Sequence, residues 1–147
     1  QLRDIYIGKI TNWKEVGGPD KGIAVITRDT SSGTFEIWDE KVMKGAKVTP
    51  RAQIMASSGA IVQAVSQNRL AISYIGIGYM NKYVKGLKVE DVEATPETVR
   101  TGEFPISRYL FMFTRGWPEG ETLRFINFIL SDEGQKIVER TGFVTIR

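Results

Sequence analysis

The chain has 147 residues, 41% of them apolar, which is enough for a real hydrophobic core within the size range of one domain. It contains neither cysteine nor histidine. That excludes disulfides, thiolate metal sites, cysteine nucleophiles and every mechanism needing imidazole as base or ligand. The net charge of +3 comes from 20 basic and 17 acidic residues mixed along the chain, so the clustered cationic footprint of a nucleic-acid binder is missing, while a mild positive balance helps draw in a small anion.

No stretch reaches the roughly 18 consecutive apolar residues of a membrane span, and the opening segment lacks the charged-then-apolar order of a signal peptide. The mature chain is expected to be soluble and, beginning at Gln1 without an initiator Met, to be a processed product or a fragment. Leu2 to Lys9 predicts a short helix, ended by Gly8 and the Thr11-Asn12-Trp13 turn. The breaker-dense Gly17 to Gly22 loop leads into Ile23-Ala24-Val25-Ile26, whose continuous apolar character predicts a strand buried on both faces. After the polar run Thr27 to Thr34, the positions Phe35, Trp38 and Val42 form an i, i+3, i+7 stripe that predicts an amphipathic helix.

The same order repeats. Gln53 to Ala56 is strand-like, Ser57-Ser58-Gly59 is a turn, Ile61, Ala64 and Val65 mark a helical face, and Arg69 to Ile75 reads as another strand. Leu87-Lys88-Val89 suggests a short strand, and Thr95-Pro96-Glu97 a helix start with Thr as cap and Pro at the first helical position. Tyr109-Leu110-Phe111-Met112-Phe113 is the most strand-like run of all. Leu123, Ile126 and Leu130 stand at helical spacing, and Ser131-Asp132-Glu133 opens a final helix with Gly142 just past its end. Strands alternating with helices predict an α/β fold with a mostly parallel central sheet flanked by helices.

Ser32-Gly33-Thr34 falls where strand gives way to helix, so unpaired N–H groups of a first helical turn would face the preceding loop, where anions bind. Glycine permits close backbone approach, and the two hydroxyls add donors. Arg28, four residues earlier at the strand end, offers a planar fork for two oxygens of a tetrahedral anion. The competing explanation is that Ser32 or Thr34 merely caps the helix while Arg28 pairs with Asp29 or another acid. Spacing alone leaves both open. Ser31, Ser58 and Gly59 are further candidates for the cleft, the Ser57-Ser58-Gly59 turn reading first as an ordinary cap that shapes a wall. Trp38 belongs with the core stripe, and no aromatic site is assigned. The glycine-rich Gly17 to Gly22 stretch does not match a Walker loop, and there is no Ser-x-x-Lys motif, so an enzyme is the weakest hypothesis. No catalytic residue, metal site or cofactor is assigned.

Several ordered blocks resemble the phosphate-binding proteins of ABC phosphate importers, the PstS-like family within the type II periplasmic binding proteins. They are Leu2 through Trp13, Val25 through Arg28 with Ser32-Gly33-Thr34, Ser58 through Val65, Ile72 through Ile75, Phe104 through Arg108, and Ser131 through Val138. The resemblance implies a three-layer type II lobe, a non-catalytic receptor for inorganic phosphate, and phosphate contacts from Arg28, Ser32, Gly33 and Thr34. Some relatives carry Arg directly after Ser-Gly-Thr, whereas this chain has Phe35. The resemblance further implies that residues 1–105 form the phosphate-gripping second lobe, and that residues 106–147 return to pack with an N-terminal lobe this sequence lacks. Partners would be phosphate, the permease of an ABC transporter and that N-terminal lobe, with a homo-oligomer possible and no nucleic acid, in a periplasmic or extracellular, envelope-associated setting. Alternatives are an oligomerising or interaction module built from the truncated lobe, and a receptor for sulfate or molybdate.

Overall fold

The run from Ala24 to Arg28 forms strand β1 because three successive side chains, Val25, Ile26 and Thr27, are buried, which only a strand covered on both faces allows. A computed structural model describes residues 1–147. Before β1 stand helix α1 (Leu2–Tyr6) and a 3-10 turn over Trp13–Val16. After it come α2 (Gly33–Trp38), β2 (Gln53–Met55), α3 (Ser58–Gln67) and β3 (Ala71–Ile72). The three strands form one sheet in the order β2-β1-β3, parallel throughout. Parallel neighbours cannot be joined by a tight hairpin, so α2 and α3 serve as the crossovers. The expected α/β lobe, a parallel sheet flanked by helices, is therefore present.

The chain forms two compact units, Gln1–Gly86 and Leu87–Arg147. In the first, Tyr6, Met43 and Ile61 are fully buried, joined by Ile5, Val25, Ile26, Ile37, Trp38, Ile72 and Tyr74. Three aromatic rings pack together there. Trp38 stacks on Tyr74 with centroids 4.4 Å apart and planes 8° from parallel, and Tyr6 meets Trp38 at 4.7 Å.

The predicted stripe of α2 shifts. Residues Asp39–Met43 continue the helix as one π-turn, in which Lys44 N–H reaches back five residues to the carbonyl of Asp39. One extra residue in the turn rotates the following positions, so Met43 is buried where Val42 is expected, and Ile37 joins Trp38 inside.

The predicted strand Arg69 to Ile75 shortens to two residues. Its ladder with β1 covers only Ala24–Ala71 and Val25–Ile72. Beyond it, hydroxyl groups meet the backbone of β1 instead: Tyr6 and Ser73 both donate to the carbonyl of Ile26, at 2.9 and 3.0 Å, and the N–H of Arg28 donates to the Tyr74 hydroxyl at 3.2 Å. Each satisfies a group that a longer β3 would have paired.

The second unit contains α4 (Pro96–Arg100), α5 (Gly120–Leu130) and α6 (Asp132–Arg140). Thr95 caps α4 with Pro96 at the first helical position, and Ser131 caps α6, as the sequence predicts. Helices α5 and α6 are separated by Ser131 alone, and a Cβ on Gly134 would lie 2.0 Å from the carbonyl oxygen of Phe128, so only glycine fits that corner. Leu87-Lys88-Val89 is not a strand. Val89 instead pairs with Val92 across a tight turn in which Glu90 and Asp91 have positive φ.

The strongest strand signal, Tyr109 to Phe113, forms no strand, and Phe111 and Phe113 are 72% and 91% exposed. An extended apolar run becomes a strand only when a neighbouring strand pairs its N–H and C=O groups, and the second unit has none to offer.

Candidate oxyanion site

The register of the sheet explains where Arg28 sits. Arg28 and Met55 are paired last residues of β1 and β2. The loops leaving these strands therefore emerge at one edge, where α2 and α3 begin. The chain leaves β1 toward β2 on one side and returns across to β3 on the other. In open α/β sheets, such a reversal of strand order leaves a crevice at the carboxyl ends, where ligands bind.

The Arg28 side chain is only 13% exposed and is held at several points. Nη1 donates to Ser58 Oγ at 3.3 Å, Nη2 donates to the carbonyl of Ala56 at 3.2 Å, and Nη2 lies 3.6 Å from a carboxylate oxygen of Asp29. Nε is buried and has no hydrogen-bond partner within the protein. A buried donor on a permanently charged group is costly to leave unpaired, so Arg28 is incompletely satisfied by its protein neighbours. Arg28 also borders an open cleft of about 400 Å³ with Thr30, Phe35, Thr49 and Ile54, a cleft that Ser31, Ser32, Gly33, Thr34, Ser58 and Gly59 do not line.

Ser32 caps α2. Its Oγ accepts the N–H groups of Thr34 and Phe35 at 3.2 and 3.4 Å. Gly33 and Thr34 are the first two residues of that helix. Thus both parts of the competing explanation, a capping Ser32 and an Arg28–Asp29 pair, are realised. Neither exhausts the groups involved, because a hydroxyl that accepts still has its proton to donate and a guanidinium has five N–H groups. Ser31 bends the loop between them by donating its N–H, at 3.1 Å, and its hydroxyl to the Asp29 carboxylate. Those bonds, the hydroxyl first and the charge of Arg28 adding to them, hold the Asp29 carboxyl below the usual carboxylate range.

Ser58 and Gly59 open α3, whose cap is Ser57, accepting the N–H of Ala60 at 3.1 Å. Ser58 is buried beneath the guanidinium, while a Cβ on Gly59 would meet only Ser57 Oγ, at 3.9 Å, leaving the backbone there open to approach. The fold thus brings Arg28 and Ser58 into contact, with Ser31, Ser32, Gly33 and Thr34 on the loop and helix that follow β1. Sequence reasoning missed Ala56, whose carbonyl holds the guanidinium, and Tyr74, whose hydroxyl meets Arg28 N–H and lies 2.8 Å from Thr27 Oγ1. A carbonyl carries no residue-type signal, and Tyr74 sits in an apolar run that reads simply as core. No group of three or more acidic side chains converges to hold a metal ion, and no helix is long and apolar enough to cross a membrane.

Residues 1–133 match the family described as a PBP superfamily domain. The chain belongs to the PBP superfamily. Within it, the sequence is 37% identical to the phosphate-binding protein PstS of Borreliella burgdorferi over 99% of this chain and 57% of that protein. It is 32% identical to the PstS of Bacillus subtilis over 99% of this chain and 49% of that one. Among solved structures, a substrate-binding protein from Clostridium perfringens with bound phosphate superposes with a TM-score of 0.85 at 40% identity, covering 100% of this chain and 61% of that one. An ABC-type phosphate transport receptor from Vibrio cholerae gives 0.83 at 32%, covering 99% and 62%. This PBP domain therefore spans about half the length of the curated relatives it matches.

Proposed function

We propose that this chain carries one half of an inorganic-phosphate site in a non-catalytic solute receptor that delivers phosphate to an ABC importer. The observation that carries the reading is the Arg28 guanidinium, fixed by Ser58, Ala56 and Asp29 at the carboxyl ends of β1 and β2 with its buried Nε–H unpartnered. Arg28 supplies charge and a fork of donors, and Ser32, Gly33 and Thr34 supply hydroxyl and backbone donors from the start of α2. Ser58 holds the guanidinium, Ser31 holds Asp29 beside it, and the backbone at Gly59 is open to approach at the start of α3. The names of the relatives favour phosphate over sulfate or molybdate. In this reading the other half of the shell comes from an N-terminal lobe, and the whole receptor works outside the cytoplasmic membrane beside the permease. Isothermal titration of phosphate into the full natural protein containing these residues, wild type against Arg28→Ala, is the test. A loss of at least about a hundredfold is expected for a desolvated charged donor. Equal affinities would remove Arg28 from the site.

We further propose that residues 106–147 dock against that N-terminal lobe, with residues 1–105 forming the phosphate-gripping lobe. The exposed run Tyr109 to Phe113 supports this, and it also favours a second reading in which the chain, on its own, associates with other copies. Light scattering on the isolated chain distinguishes them. A strict monomer at high concentration would sink the second reading.

A further inference from the structure

We propose that Tyr74 is a positioning residue that fixes Arg28 relative to α2, an inference that rests on the reading of Arg28 as the anion-gripping residue. Three contacts carry it. The backbone N–H of Arg28 donates to the Tyr74 hydroxyl at 3.2 Å, and that hydroxyl lies 2.8 Å from Thr27 Oγ1. Since the phenol oxygen accepts from Arg28, its own proton is free to go to Thr27. The other face of the same residue stacks on Trp38, the last residue of α2, at 4.4 Å and 8°.

Tyr74 therefore touches both elements that bear the site: the end of β1 through its hydroxyl, and α2 through its ring. The need for such a link follows from the short β3. The ladder between β1 and β3 ends at Val25 and Ile72, three residues before Arg28. On that side no strand holds the backbone of Arg28, and the phenol takes the strand's place. Tyr74 is 9% exposed, and burial pushes its phenol pKa up, so the hydroxyl stays neutral across the physiological range while its oxygen accepts from Arg28. An error in the placement of Arg28 relative to Ser32-Gly33-Thr34 would misalign donors that must converge on one small anion, and anion contacts are sensitive to such errors.

The test is a double-mutant cycle with phosphate as the probe, in the full natural protein containing these residues. Tyr74→Phe keeps the ring and its stacking on Trp38 but deletes the hydroxyl. The expected result is a loss of affinity of about tenfold, as for one hydrogen bond left unmade, with little or no further loss when Tyr74→Phe is added to Arg28→Ala, read at millimolar phosphate by ³¹P NMR. Amide hydrogen exchange at Arg28 should accelerate in Tyr74→Phe without ligand. Unchanged affinity in Tyr74→Phe, with Arg28→Ala impaired, would overturn the positioning role while leaving the site intact. Equal losses in both backgrounds would show that Tyr74 acts through general stability and would also overturn it. Arg28→Ala binding like wild type would instead overturn the parent reading, and the exchange measurement would still report the contact. Should Tyr74→Phe fail to fold, Thr27→Val removes the phenol's other partner. It is expected to weaken binding about threefold, one bond of the pair remaining, and unchanged affinity would refute the proposal.

Discussion

Ser58→Ala separates the orientation of Arg28 from the stability of the helix beneath it. Ser58 is the first residue of α3 but not its cap, because Ser57 Oγ accepts the N–H of Ala60. Alanine at a helical position costs nothing in propensity and gains a few tenths of a kcal/mol, so the helix should persist. What disappears is the acceptor for Arg28 Nη1 at 3.3 Å. A hydrogen bond to a charged group contributes about 1.5–3 kcal/mol. The length of this bond, and the survival of the Ala56 carbonyl at 3.2 Å as a second acceptor, place the loss at the lower end. Because the bond is already made without ligand, about 1.5 kcal/mol is the ceiling on what binding must spend to restore the order of Arg28, so phosphate affinity is expected to fall by up to about tenfold. The control is Ser57→Ala, which deletes the cap and should cost about 1 kcal/mol of stability with affinity nearly unchanged. Isothermal titration and urea unfolding of both variants in the full natural protein provide the readout. Ser58→Ala with wild-type affinity, or Ser57→Ala with a tenfold loss of affinity, would refute the reasoning.

Two other outcomes follow from individual residues. Gly134→Ala should destabilise the α5–α6 corner by about 3 kcal/mol or more, since the new methyl cannot coexist with a backbone carbonyl 2.0 Å away. Hydrogen exchange across Gly120 to Arg140 would detect it, and an unchanged protection pattern would count against the geometry. Asp29 has a folded-state pKa below its unfolded value, because Ser31 donates to the ionised carboxylate. Its contribution is therefore complete above the ordinary carboxylate value of about 3.9 and is lost as pH falls through the depressed folded value. NMR titration should find that depression, and Ser31→Ala should bring the Asp29 pKa back toward normal. A Ser31→Ala protein with an unaltered Asp29 titration would remove Ser31 as the cause.

How much of this was legible in the sequence depends on the range of the interaction that fixes each residue. The turn between β1 and α2 was legible because Arg28, the hydroxyls and Gly33 lie within seven residues, and local chemistry settles where a strand ends and a helix begins. The same locality made Thr95 and Ser131 readable as caps. What could not be read is what the chain does to itself over a distance. A single π-turn after Trp38 replaces Val42 with Met43 in the core, and nothing in a periodic pattern announces one extra residue per turn. Tyr109 to Phe113 carries every mark of a strand, yet strand formation depends on a neighbour, and a side-chain pattern cannot supply one. Tyr74 is the opposite case: it reads as core and is core, but the truncation of β3 turns its hydroxyl into a backbone partner for Arg28, 46 residues earlier in the chain. The residues that position an anion-gripping arginine are therefore found by asking which of its hydrogen bonds the sheet fails to make, a question that only the register of β1 against β2 and β3 can answer.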